Sequence, residues 1–293
     1  METIVNYIKE KRPNITKSSL KTYESILRNL YNKIFDDEDY DMTKFGKEVN
    51  KVIKFLKDME PKKRKTILSA LVVITDNKEY RELMLDDIKE YNKEEAKQTK
   101  SKSVNENWVE QDELLSLYNE LKKEYKILYV KKNKKSNEYQ RMQDFIILSL
   151  LGGFYIPPRR SKDYVNFKIK NIDKDKDNYI EKNELVFNSY KTAKTYGQQK
   201  IVVPTPLKTI INKWSKINPT DYLLFDSEYK QMNNVKLNQR LNKLFDKKAS
   251  VNALRKSYLS DKFGDMIDLK NELDKTMNEM GSSRLQENIY IKK

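Results

Sequence analysis

The stretch 142–151 is apolar nearly all the way round a helical wheel. A helix without a solvent face has to be enclosed by other elements, so the chain must build a domain around it. The apolar run 145–153 is too short to cross a bilayer. Gly152-Gly153 and Pro157-Pro158 end it. Only six glycines and seven prolines occur in 293 residues, which directs most of the remaining sequence to helix as well.

Apolar residues at three- and four-residue spacing mark those helices. Thr16 reads as an N-cap before Leu20, Tyr23, Ile26, Leu27, Leu30 and Ile34, with Lys17, Lys21, Arg28 and Lys33 facing outward. An acidic loop, 36–41, follows. Val49, Val52, Ile53 and Leu56 mark a second helix. Pro61 opens a third, which begins with Lys62, Lys63, Arg64 and Lys65. A fourth covers 78–95. Together they predict a helical first domain over 1–96. Residues 95–107 are polar and aperiodic, so 97–107 reads as a linker. Trp108 then anchors the start of a second domain, 108–293.

In that domain 113–129 reads as a helix and 131–136 as a basic loop. After the buried helix the period changes. Segments 179–180, 184–190 and 200–203 read as short strands around a polar turn, 191–197. Helices resume at 207–216, 236–246, 251–263, 269–278 and 285–290. Trp214 reads as a core anchor. The acidic run 173–177 lacks the glycine and final glutamate of a calcium loop and reads as a turn. The expected fold class is mostly α with a small β-sheet or hairpin.

Composition narrows the chemistry. The chain has no cysteine and no histidine. Disulfides, thiolate or imidazole metal sites and a Ser-His-Asp triad are therefore excluded. The opening Met1-Glu2-Thr3-Ile4-Val5 runs into charges and does not read as a signal peptide. The formal net charge is +15, which favours polyanions, nucleic acid before anionic membrane. Part of that surplus follows a Lys, Asn, Ile and Tyr bias typical of A/T-rich coding sequence. No helix pairs an apolar face with the aromatic anchors of a membrane-surface protein.

Five features stand in order along the second domain. Arg160 lies in Pro157-Pro158-Arg159-Arg160-Ser161-Lys162-Asp163-Tyr164. Lys191 opens the turn between two strands, with Lys194 and Lys200 as nearby alternatives. Arg255 follows Asn252 in an Asn-x-x-Arg pattern. Met280-Gly281-Ser282 comes next, then Tyr290. Each has a plainer reading alone: Arg255 as a partner of Asp246 or Asp261, Tyr290 as one packed aromatic among 19 tyrosines. As an ordered set they resemble the catalytic residues of tyrosine recombinases and the related type IB topoisomerases. The runs around Arg160, Lys191 and Arg255 are most similar to recombinases of large eukaryotic DNA viruses and virophages. The resemblance covers 105–293 well and the first domain more loosely.

It implies a helical core-binding-like domain followed by a tyrosine-recombinase-like catalytic domain, closed as a clamp around duplex DNA. Tyr290 would attack phosphorus and leave a 3′-phosphotyrosyl link. Arg160 and Arg255 would grip the non-bridging oxygens, and Lys191 would protonate the departing 5′ oxygen. Arg160 is preferred to Arg159 because Asp163 completes the family's Arg-x-x-Asp/Glu pattern. Arg159 then joins Lys62, Lys63, Arg64 and Lys65 as expected DNA contacts, although the latter four also fit a solvated helix start. No cofactor is implied, neither metal nor ATP. The expected partners are double-stranded DNA and a homotetramer synapsed on it, with no membrane.

The protein would work inside cells, in a host nucleus or a cytoplasmic viral factory. Two departures stand out. Asn252 occupies a position usually held by His, and Ser282 one usually held by His or Trp; Ser282 also precedes Tyr290 by eight residues where the pattern has nine. Both can hydrogen-bond phosphate, and neither replaces an imidazole. A site-specific recombinase or integrase is the expectation; a topoisomerase and a DNA-binding descendant without activity are the alternatives.

Overall fold

The computed structural model describes residues 2–35 and 40–282. The chain divides into two compact units, Met1–Lys100 and Ser101–Lys293. The division falls inside the stretch read as a linker.

The first unit comprises α1 (Glu2–Lys11), α2 (Lys17–Ile34), α3 (Lys44–Lys47), α4 (Val49–Leu56), α5 (Pro61–Thr75) and α6 (Lys78–Ala96). Thr16 caps α2 by accepting from Ser19 N at 3.2 Å. Pro61 occupies the first turn of α5, where a missing N–H is harmless. The sequence reading lacked α1, yet Ile4 and Ile8 are buried in the core beside Leu27, Leu68 and Leu71. Tyr31, Phe35 and Phe45 pack edge-on and tilted at 4.9–5.8 Å. Tyr80 donates its buried hydroxyl to Phe45 O at 2.7 Å.

The second unit begins with α7 (Lys102–Glu106), inside the expected linker. Asn107 and Trp108 are tied to their own unit: Asn107 Oδ1 accepts from Lys248 N and Trp108 O from Lys247 Nζ. Then come α8 (Gln111–Val130) and α9 (Ser136–Leu151), the expected central helix. α9 is buried even at Gln143 and Asp144. Gln143 mimics a strand edge, accepting from Phe225 N and donating to Phe225 O. Asp144 accepts a bidentate pair from Arg240.

After α9 follow α10 (Ser161–Val165), β1 (Tyr179–Glu181), β2 (Glu184–Phe187), α11 (Ala193–Tyr196) and β3 (Gln199–Val202). The strands form an antiparallel sheet in the order β1-β2-β3, with Ile180 opposite Leu185 and Leu185 opposite Ile201. β2 stops at Phe187, short of the expected 190, because Asn188 and Ser189 give their N–H groups to Asn178 instead of to a neighbouring strand. The acidic run does form a turn, closed by Asp177 N to Asp173 O at 2.8 Å.

The unit ends with α12 (Thr205–Ile217), α13 (Asn234–Phe245), α14 (Val251–Phe263) and α15 (Met266–Glu279). Trp214 is fully buried, stacked on Phe225 at 6.0 Å, and its Nε1 donates to Leu223 O. The molecule is thus mostly helical with one small sheet. Among the described residues no helix is long and apolar enough to cross a membrane. The expected helix at 285–290 lies outside the described residues.

Candidate active site

Two close approaches bring Arg160 and Arg255 together. Gly153, just past α9, has φ +78°, and a Cβ there would sit 2.3 Å from Tyr258 Cδ2 on α14. Only glycine fits both the backbone angle and the contact. Pro157 and Pro158 carry the chain onward, and Pro158 O accepts from Arg255 Nε at 3.1 Å. α14 is also held to the start of α8, because Ser257 Oγ donates to Val109 O and accepts from Gln111. Arg160 caps α10 in extended conformation and is exposed.

A buried carboxylate organises the cluster. Asp163 is 2% exposed and accepts from Arg159 Nε at 2.7 Å through Oδ2. Its Oδ1 has no hydrogen-bond partner among the described residues. Burial pushes this carboxyl above its ordinary value, against the pull of Arg159, Arg160 and Arg255. Burial also lowers Arg255, and the neighbouring positive charge of Arg160 adds to that. Three guanidiniums therefore surround one carboxylate whose ionised form is itself disfavoured. Such a place gains free energy by taking an anion.

Arg159 was expected to face DNA. Its guanidinium instead pairs with Asp163, donates to Gln199 Oε1 at 2.9 Å and lies 4.1 Å from the Phe187 ring centroid. It fastens β2 and β3 to α10. The buried Asp163 takes its charge, which leaves Arg160 as the outward-facing member of the pair.

The turn that bears Lys191 is fastened to the same place. Asn178 is fully buried; its Nδ2 donates to Asp163 O and Ser189 O, and its Oδ1 accepts from Asn188 N and Ser189 N. Tyr190 closes the turn by donating to Gly197 O at 2.7 Å. Lys191 and Lys194 are exposed and form no ion pair with a described residue, whereas Lys200 lies 3.9 Å from Glu184 across the strands.

The other expected residues are placed unevenly. Asn252 is exposed at the start of α14, with Oδ1 3.4 Å from Arg255 Nη1. Ser282 follows a helix end of Schellman type: Gly281 has φ +70°, Gly281 N bonds Asn278 O and Ser282 N bonds Met277 O. Ser282 has no hydrogen bond to Arg160, Lys191, Asn252 or Arg255 among the described residues. Tyr290 lies outside the described residues.

In the first unit Lys62 and Lys63 are exposed on α5, Lys63 within 3.6 Å of Glu60. Arg64, also an expected DNA contact, is engaged within the unit. It forms a bidentate pair with the buried Asp87 on α6 and donates to Lys57 O. Its role is to hold α4, α5 and α6 together. Lys65 is likewise engaged, with Nζ 2.9 Å from the Tyr91 ring centroid.

No protein-family model matches the chain, and no curated protein matches it. Among solved structures, a XerA recombinase crystal structure is similar over 89% of this chain and 83% of its own, at 11% identity and a TM-score of 0.35. At that level of superposition the functional weight rests on the residues just described.

Proposed function

We propose that this protein breaks and rejoins DNA strands through a covalent 3′-phosphotyrosyl intermediate, as a site-specific recombinase or integrase. The observation that carries the proposal is the paired Arg160 and Arg255. One is exposed and the other half-buried with no ion pair to a described carboxylate; Arg255 is held to Pro158 O, and Asp163 feels the charge of both. Two such forks suit the non-bridging oxygens of a phosphodiester. Tyr290 Oη forms the bond to phosphorus, the bond to the 5′ oxygen breaks, and Lys191 protonates that oxygen as it leaves. The tyrosine proton passes to solvent. Asn252 donates its amide N–H to phosphate while its oxygen faces Arg255. The new ester conserves the energy of the broken one, so religation requires no ATP. A homotetramer synapsed on paired double-stranded sites is the assembly this reading implies, with Lys62 and Lys63 on phosphates of the flanking duplex.

The test is covalent trapping on nicked and supercoiled DNA in EDTA without ATP, stopped with denaturant. Wild type should yield a protein-linked 3′ end, and Tyr290→Phe none. Saturable binding to one inverted-repeat site separates a recombinase from a topoisomerase. Salt-sensitive binding without adduct from wild type would overturn the enzymatic reading, with Asn252 and Ser282 as the residues to restore to His.

A further inference from the structure

A groove on the second unit has a composition that strand cleavage does not use. α8 and α12 both pack on α9, and beside them lies a cavity of about 340 Å³. Tyr125, Tyr129, Val130, Phe145 and Ile210 line it. It shares no residue with the arginine cluster or the hairpin turn.

Tyr125 is 6% exposed, stacked at 5.9 Å on Tyr129 and tilted at 4.8 Å against Phe145. Its Oη has no hydrogen-bond partner among the described residues. A buried hydroxyl is normally satisfied; this one is covered by the fold, so Tyr125 presents ring surface to the cavity. Lys122 and Lys126 stand one turn apart on α8, and Lys213 stands on α12. None of the three pairs with a described carboxylate; Lys122 and Lys213 each lie 5.9 Å over a tyrosine ring, those of Tyr118 and Tyr129. The apolar surface continues past the cavity through Val130 and Ile127, which are 79% and 70% exposed. A small molecule filling the cavity would leave Ile127 in water, whereas a polypeptide segment covers both.

We propose that this groove docks an acidic amphipathic segment of a partner protein. One apolar side chain enters the cavity against Phe145 and Ile210, and carboxylates meet Lys122, Lys126 and Lys213. Recognition is of the helix-in-groove kind, with a buried anchor and a charged rim. Charge complementarity selects the partner: a chain of net charge +15 repels most of the surface of a second copy and attracts an acidic segment.

The test uses the full chain to select from a random dodecapeptide library displayed on phage. The Lys126→Glu/Lys213→Glu double variant serves for counter-selection. Both positions are on the surface, and unchanged circular dichroism establishes that the variant folds. Enriched peptides should carry an aromatic or long aliphatic residue flanked by Asp or Glu. The most enriched one, made synthetically and followed by fluorescence anisotropy, should bind roughly tenfold more weakly to the double variant. Val130→Ser should also weaken it, and neither variant should change affinity for duplex DNA. Enrichment of basic peptides, or of none, overturns the proposal. So does a loss of DNA affinity in the double variant, which would make these lysines part of the DNA surface. So does self-association of the wild type that the double variant abolishes, which would make the occupant a second copy.

Discussion

Arg255 is a charge that the fold half-buries and, among the described residues, satisfies with a carbonyl and an amide oxygen. Burial and Arg160 both work against its ionised form. Replacing it with Met should therefore leave thermal stability unchanged or raise it by about 1 kcal/mol. Adduct formation should fall by about 10²–10³-fold, the usual cost of one lost oxyanion donor; melting curves and trapping rates check the two halves. Asp163 gives a pH prediction. Burial raises its carboxyl above 3.8, whereas the Arg141 hydrogen bond holds Glu124 below 4.5. The stability that Asp163 contributes is therefore full below its unfolded value and lost as pH rises through the folded one. Glu124 behaves in the opposite sense: its contribution is present above its unfolded value and lost as pH falls through the folded one. Carboxyl NMR should find the two titrations displaced in opposite directions, and acid unfolding should follow Glu124, not Asp163. Arg160, Lys191 and Arg255 stand out in the sequence because each sits in a short local pattern. Asn178 and Gln199 were not, because a polar side chain that bonds remote groups leaves no periodic trace.

Helices with one apolar face were read closely, and α14 was bounded as 251–263 from sequence and as Val251–Phe263 in the structure. Short elements were missed: α7 and α11 have too few turns to show a stripe, and α1 precedes any recognisable cap. The basic start of α5 shows the limit of reading charge from sequence. Lys62, Lys63, Arg64 and Lys65 look equivalent there, yet Arg64 alone pairs with a carboxylate buried on the next helix. Arg64→Ala should destabilise the first unit by about 3 kcal/mol, because it strands Asp87 without a partner. Lys62→Ala and Lys63→Ala should move the denaturant midpoint by less than about 0.5 kcal/mol equivalent. Urea titration of the full chain followed by circular dichroism distinguishes the two classes.

Across the whole molecule, charge is the property that composition reported most directly and site geometry refined most. Arg64, Arg141, Arg159 and Arg240 are matched by carboxylates, so the surplus of +15 rests on other basic side chains. The uncommitted lysines should carry non-specific affinity. Log affinity for duplex DNA should fall linearly with log salt, and a Lys62→Ala/Lys63→Ala variant should lose about two units of that slope if both meet phosphates. The division between units fell in the polar stretch because an aperiodic segment cannot bury a face of its own. Gly153 sets a last condition on the whole chain, on how its sequence is free to drift. Tyr258 can shrink without obstructing anything, but Gly153 cannot grow while Tyr258 remains, and its backbone angle resists any side chain even then. Substitution at this pair is therefore one-sided: the ring can give way to a smaller side chain, whereas any side chain at 153 meets both the ring and an unfavourable backbone angle.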